Sequence, residues 1–296
     1  MYPCDVWDKT KTNLTLVLSY VYPMEPFFLT DGVWVFTSVL YQTTSTVIVT
    51  DNEIFVVDPN WLPHEVNAIK DFVEQMRSQH KVYLIFTHSD YDHIVGAGAF
   101  SQATVIASQA FALNVQRERD VTQAQHFDKS HYINRSYPIV YPEVDIVITH
   151  DSQTVHFNDT TLTFYLAPGH TDQGMFSIFE PQGVWVAGDY LSDIEFPLIN
   201  GLLTEYRQTM YRVDHILLQH AIKFLVPGHG TIETSVPGIY QRRDHALEYL
   251  DDIEALVMHD NPFSEAKYRR RYPFWPGIQD WHQENIAHLR VQCRER

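Results

Sequence analysis

At 296 residues the chain has room for one large domain or two small ones. Its 45% hydrophobic and 14% aromatic content is ample for a substantial core. Twenty-one basic against 37 acidic residues leave a net charge of −16, which argues against a nucleic-acid backbone as substrate, because such binding needs a basic surface.

The chain opens without a basic segment followed by an apolar one, and no apolar run approaches the length of a membrane span. A cytoplasmic protein with no membrane partner is therefore expected. Cys4 and Cys293 stand near opposite ends in no metal-type spacing, so a thiolate metal site is excluded and two free thiols are expected. Within the first thirty residues, 16–18 and 20–21 suit an edge strand. Strands are expected at 32–36 and 45–49, with a turn at Asp51-Asn52, and a buried strand at 54–57 ends in Asp58. Leu62, Val66, Ile69, Phe72, Val73 and Met76 recur at helical spacing and predict a helix over 62–79 packed on a sheet.

An apolar strand at 82–86 runs into Thr87-His88-Ser89-Asp90-Tyr91-Asp92-His93, and small residues follow, suited to a tight turn into a helix. Two histidines and two aspartates thus occupy one loop at a strand's C-terminal end, where open α/β sheets bind ligands. A lone His-x-Asp is usually a polar surface loop, but four metal-ligand types packed together suit zinc, iron or manganese. The next strand covers 104–107, and Ser108 is placed to cap a helix. Residues 111–137 are charged, polar and aromatic, and read as a helical insertion over the site that sets specificity. Strands of a second sheet are expected at 146–149, 153–157 and 162–166, with a hairpin turn at Asn158-Asp159. The last of these leads to Pro168-Gly169-His170. A hairpin of 175–179 and 184–187 leads to Gly188-Asp189, a helix covers 202–220, and a strand at 224–226 leads to Gly228-His229. Each unit is an apolar strand, a turn residue, then a ligand type. Helices are expected over 238–258 and near 277–290.

In this order, His88, Asp92, His93, His170, Asp189 and His229 resemble the motif set of the metallo-β-lactamase superfamily. That motif reads His-x-His-x-Asp-His, then a distant His, a Gly-Asp and a Gly-His. The likeness runs from the middle forties to the two-hundred-and-fifties and departs at one place, where Asp90 stands for the second His. It implies a four-layer αββα sandwich over 1–258, carrying the insertion at about 111–137, with 259–296 as a C-terminal helical extension. It also implies two divalent metal ions, zinc first, with iron or manganese as alternatives. One site would be His88, Asp90 and His170, the other Asp92, His93 and His229, with Asp189 bridging. Asp58 would support the metal loop from behind.

Two such metals can hold a shared hydroxide at neutral pH. The expected activity is hydrolysis of a small ester, thioester or lactone, with Asp92 orienting the nucleophile or carrying its proton. Tyr190 is a candidate oxyanion donor, although simple packing beside the site is an equal reading. Ser192, Asp193 and Glu195 follow it. Arg269, Arg270 and Arg271 match a substrate-neutralising role in glyoxalase II-like relatives, but a solvated charge run is preferred. Packing or surface roles are expected for His126, His131, His215, His220, His245, His282 and His288. A carboxylate at Asp90 favours a harder metal, and relatives that reduce dioxygen at a diiron centre carry Glu there, so an iron oxidoreductase is the alternative. A phosphodiesterase is disfavoured by the acidic charge. The expected partner is a small-molecule substrate, with a homo-oligomer left open.

Overall fold

The structure, a computed structural model, describes residues 25–76 and 79–294. Cys4 and the edge strand expected within 16–21 lie outside the described residues. β1 (Phe27–Thr30), β2 (Val33–Thr37), β3 (Thr44–Val49) and β4 (Glu53–Val57) form an antiparallel meander. β5 (Lys81–Ile85), β6 (Thr104–Ser108) and β7 (Ile146–Ile148) extend it in parallel to a seven-stranded sheet in chain order. A second sheet of five strands has the order β12-β11-β10-β9-β8, built from β8 (Gln153–His156), β9 (Thr161–Leu166), β10 (Met175–Glu180), β11 (Val184–Val186) and β12 (Phe224–Val226).

Side-chain alternation sets the layers. In β4, Phe55 and Val57 face the second sheet, while Ile54 and Val56 face α1 (Pro63–Met76) with its Val66, Ile69 and Val73. β5 repeats this, with Tyr83 and Ile85 inward and Val82 and Leu84 outward. A strand buried on both faces reads as one apolar run, which is why these strands are legible without a polar alternation. The outer face of the second sheet, including Phe176, Trp185 and Leu225, packs on α5 (Leu203–Gln219) and α6 (Val236–His259). The architecture is an αββα sandwich with one core between the sheets and one under each helical layer.

Three short or polar helices lie at the C-terminal edge of the first sheet: α2 (Tyr91–Ile94), α3 (Gln109–Ala112) and α4 (Arg117–Ser130). Ser108 caps α3 as expected, its hydroxyl accepting the Phe111 N–H at 3.1 Å. After α6 come α7 (Glu265–Arg271) and α8 (Trp275–Arg294). Both pack into the core of the second helical layer through Tyr268, Trp275, Ile278, Ile286 and Leu289.

One expectation is corrected. The strand expected at 146–149 in the second sheet is β7 of the first, pairing in parallel with β6. The Asp145 carboxylate accepts the Val105 N–H at 2.8 Å and sets that register. Apolar periodicity marks a strand but carries no label for its partner. The charged run 267–271 is helical, and Arg269 and Arg270 are exposed, as expected of a solvated charge run. Lys267 reaches Glu248 at 2.6 Å and Asp252 at 2.7 Å, Arg271 reaches Glu248 at 2.6 Å, and Tyr268 is buried beneath them. Among the described residues no helix is long and apolar enough to cross a membrane, and Cys293 is a free thiol.

Candidate metal centre

Every ligand type singled out by the sequence lies just past a strand's C-terminal end, and the two sheets present those ends along one rim. β5 delivers His88 and Asp90, and the next two members of the motif, Asp92 and His93, sit on the single turn of α2. β9 leads to His170, β11 to Asp189 and β12 to His229. Gly188 takes φ 53° at the turn before Asp189, and Gly228 packs so closely on the Asp189 carboxylate that no Cβ fits.

The seven side chains gather into two adjoining groups. In the first, His170 Nε2 lies 3.2 Å from Asp90 Oδ2 and 3.3 Å from Asp189 Oδ2, and His88 Nε2 lies 3.7 and 3.5 Å from the same atoms. In the second, His93 Nε2 lies 3.0 Å from Asp189 Oδ1 and 3.7 Å from Asp92 Oδ2, and His229 Nε2 lies 3.3 and 3.4 Å from those atoms. Asp189 therefore turns one oxygen to each group. His88, Asp90, His170 and Asp189, and separately Asp92, His93 and His229, each bring donor atoms within 4.8 Å of one another.

The far ring nitrogens are engaged from behind, which orients the near ones inward. His170 Nδ1 donates to the Leu198 carbonyl at 2.9 Å, and His229 Nδ1 donates to the Tyr41 carbonyl at 3.0 Å. His93 Nδ1 meets Asp58 Oδ2 at 3.0 Å. Asp58 also accepts the Thr87 N–H at 2.9 Å and the Thr87 hydroxyl at 2.5 Å, and His88 Nδ1 lies 3.1 Å from that hydroxyl. His88 Nε2, His170 Nε2 and Asp189 Oδ1 are buried without a hydrogen-bond partner. Buried polar atoms are almost always satisfied, so two unpartnered imidazole nitrogens in the first group and an unpartnered carboxylate oxygen turned to the second fit cations at the two groups.

The electrostatics agree. Burial works against charge on Asp90, yet the His170 ring 3.2 Å away and the positive charges of His170 and His88 hold it at about 2. Burial lowers the imidazoles, but the acids outweigh it: Asp189 and Asp92 drive His93 well up, and Asp189 and Asp90 do the same for His170. Glu195 and Asp189 push His229 up to about 10. Burial raises the Asp189 carboxyl, and the surrounding histidines overcome it and hold it well below the usual range. The acids thus draw positive charge into the site, as protons on imidazoles or as a metal.

The centre floors a cleft of about 670 Å³, within the range of small-molecule sites, about 300–1,000 Å³. Asn114, Gln116, Arg119, Asp120 and Gln123, from α4 and the link before it, form one wall, so the insertion does overlie the site. Tyr190 has a different position from the one expected of an oxyanion donor. It is buried, its hydroxyl donates to the Ala167 carbonyl at 2.8 Å and accepts the His170 N–H at 2.8 Å, and no donor is left for a substrate. Glu195, which has no expected role, lines the cleft 3.9 Å from His229 Nδ1. Burial pushes it up to about 7, against the pull of His229. The sequence shows it only as one of the polar residues after Asp189-Tyr190, and the folded loop is what brings it to His229. Arg269 and Arg271 bond Glu265 and Glu248 and do not line the cleft.

The Metallo-beta-lactamase superfamily model matches residues 39–229. A metallo-beta-lactamase family protein from Thermus thermophilus superposes with a TM-score of 0.62 at 18% identity, over 90% of this chain and 95% of that one. A Cronobacter sakazakii metallo-beta-lactamase with an HARLDQ motif gives 0.58 at 20% identity, over 79% and 95%. A metallo-beta-lactamase from Pontibacter korlensis gives 0.56 at 16%, over 77% and 98%. These likenesses concern the fold, and the motif of this chain reads His-Ser-Asp-Tyr-Asp-His over 88–93. With the matched segment spanning most of the chain and holding all seven clustered side chains, the chain belongs to the metallo-beta-lactamase superfamily.

Proposed function

We propose that this protein is a metal-dependent hydrolase of a small ester, thioester or lactone. One observation carries the reading: Asp189 divides its two carboxylate oxygens between two groups of inward-facing imidazoles. In this reading His88, Asp90 and His170 hold one divalent ion and Asp92, His93 and His229 the other, zinc first, with Asp189 between them. When bound, such a pair lowers the pKa of a shared water towards neutrality and polarises the acyl oxygen. The chain's own residues do the rest. Asp92 Oδ2 faces both His93 and His229; it orients the attacking water, takes its proton, and returns it to the departing oxygen or sulfur. Water adds to the acyl carbon and the acyl–oxygen or acyl–sulfur bond breaks, giving an acid with an alcohol or thiol, or one hydroxy acid from a lactone. The α4 wall bounds the cleft and shapes the space for the acyl group. The acidic surface favours uncharged substrates over phosphodiesters.

The test is elemental analysis of the purified protein, followed by a panel of esters, thioesters and lactones with the metal found. About two metals per chain and turnover of at least one class are expected. Asp189→Asn keeps the side chain's shape but loses its charge; it should empty at least one site and slow turnover by about a hundredfold or more. Full occupancy with a near-normal rate would exclude the two-metal mechanism. A second reading rests on Asp90, a hard oxygen donor that favours iron or manganese. Bound iron with a visible absorption band and consumption of dioxygen would replace hydrolysis by oxidoreduction. Faster turnover of bis-p-nitrophenyl phosphate than of any ester would point to a phosphodiesterase.

A further inference from the structure

His170 is held by a loop, and the loop is held by the C-terminal helix α8. The Leu198 carbonyl accepts from His170 Nδ1 at 2.9 Å, and the Asn200 N–H donates to the His170 carbonyl at 3.0 Å. On the other side of the loop, Asn285 Oδ1 accepts the Ile199 N–H at 2.8 Å, and Asn285 Nδ2 donates to the Pro197 carbonyl at 2.7 Å and to the Tyr249 hydroxyl at 3.0 Å. One turn and two turns further along α8, His288 Nε2 lies 2.9 Å from the Gly201 carbonyl and Gln292 Nε2 donates to it at 2.8 Å. Residues 285, 288 and 292 share one face of a helix. Asn285 is fully buried.

The Leu198 carbonyl and the Ile199 N–H are the two ends of one peptide unit. A trans peptide is planar and rigid, with these groups pointing in opposite directions. Asn285 therefore grips one end of the unit whose other end meets the His170 ring. The orientation of the amide is fixed, because a main-chain N–H can only donate and the Pro197 carbonyl can only accept. A proton held on Nδ1 leaves the Nε2 lone pair facing Asp90 and Asp189, where it has no other partner.

We propose that Asn285 is a positioning residue for the first metal site: through the 198–199 peptide it keeps His170 in the Nδ1–H form with Nε2 turned inward. This assigns to a helix beyond the family-matched segment 39–229 a part in building the centre. The inference rests on the reading of His170 as a ligand.

The test is calorimetric titration of metal-free full-length protein with Zn²⁺, on the wild type, Asn285→Leu and Asn285→Asp, with circular dichroism reporting the fold. Leu removes both hydrogen bonds to the loop, whereas Asp keeps the acceptor for the Ile199 N–H. One of two binding steps should weaken by about tenfold or more in the Leu variant, as for other groups that orient a ligand. The other step should stay within about twofold, and Asp should restore much of the loss. A folded Leu variant with both steps unchanged, or with both weakened equally, overturns the proposal. If Leu prevents folding, Asn285→Ser carries the same comparison with a shorter hydroxyl in place of the amide. A wild type that binds none of Zn²⁺, Fe²⁺ and Mn²⁺ overturns the metal-centre reading itself, and this inference with it; wild-type binding with indifferent Asn285 variants overturns this inference alone.

Discussion

Asp90, Asp92, Asp189 and Glu195 all surround the four imidazoles of the centre, and each imidazole faces at least one of them across 4 Å or less. Burial alone would strip protons from His93, His170 and His229, but these acids reverse the effect and raise all three. The sign of the consequence follows. A raised imidazole is protonated at pH 7, and a cation can use its nitrogen only after that proton leaves. Metal uptake should therefore release protons, and affinity should climb with pH until His229 deprotonates at about 10. Asp90, held at about 2, is ionised throughout this range and contributes no proton. Zn²⁺ titrations at pH 7 in two buffers of different ionisation enthalpy measure the number released. At least one proton per chain is expected; equal heats in both buffers would contradict the charge balance described here.

At the scale of elements, α4 is an unusual helix to find over a site, because it has little apolar surface to hold it. It buries Ala124 and Asp128. Arg135 compensates: Nε and Nη2 clasp the two Asp128 oxygens at 2.7 and 2.9 Å, while Nη1 donates to the Trp61 carbonyl at 2.7 Å. Trp61 in turn packs against Tyr91 of α2 and Phe127 of α4. The roof of the cleft is thus tied to the segment that follows Asp58. Both partners are almost excluded from water, at 2% and 10% side-chain exposure, so removing one strands a buried charge. Arg135→Met should lower the unfolding free energy by about 3–5 kcal/mol. Urea denaturation reads this directly, and a loss below about 1 kcal/mol would show that the pair behaves as an exposed one.

Over the whole molecule, the charge of −16 acts on anything that approaches the cleft. Field effects of this kind alter encounter rates and are screened within about 8 Å at physiological ionic strength. Between a neutral ester and an anionic analogue with the same acyl group, kcat/KM should favour the neutral one at low salt. The gap should narrow as sodium chloride is raised. A salt-independent ratio would mean that local contacts, not the surface field, discriminate. At this scale the chain divides into what was legible and what was not. Strand–turn–ligand units are local in sequence: apolar runs, small residues and the His and Asp that follow them identified Asp58, His88, Asp90, Asp92, His93, His170, Asp189 and His229, and their order pointed to the αββα sandwich. The partner of β7, the packing of α7 and α8 into the core, and the commitment of the Tyr190 hydroxyl to the backbone were not readable. Nor were the carbonyls of Tyr41 and Leu198 that orient His229 and His170. A residue type and its spacing state what chemistry a side chain can do and which face it occupies; a main-chain carbonyl has no residue type. Which groups meet across 28 or 188 positions is decided only when the sheets close and bury them together.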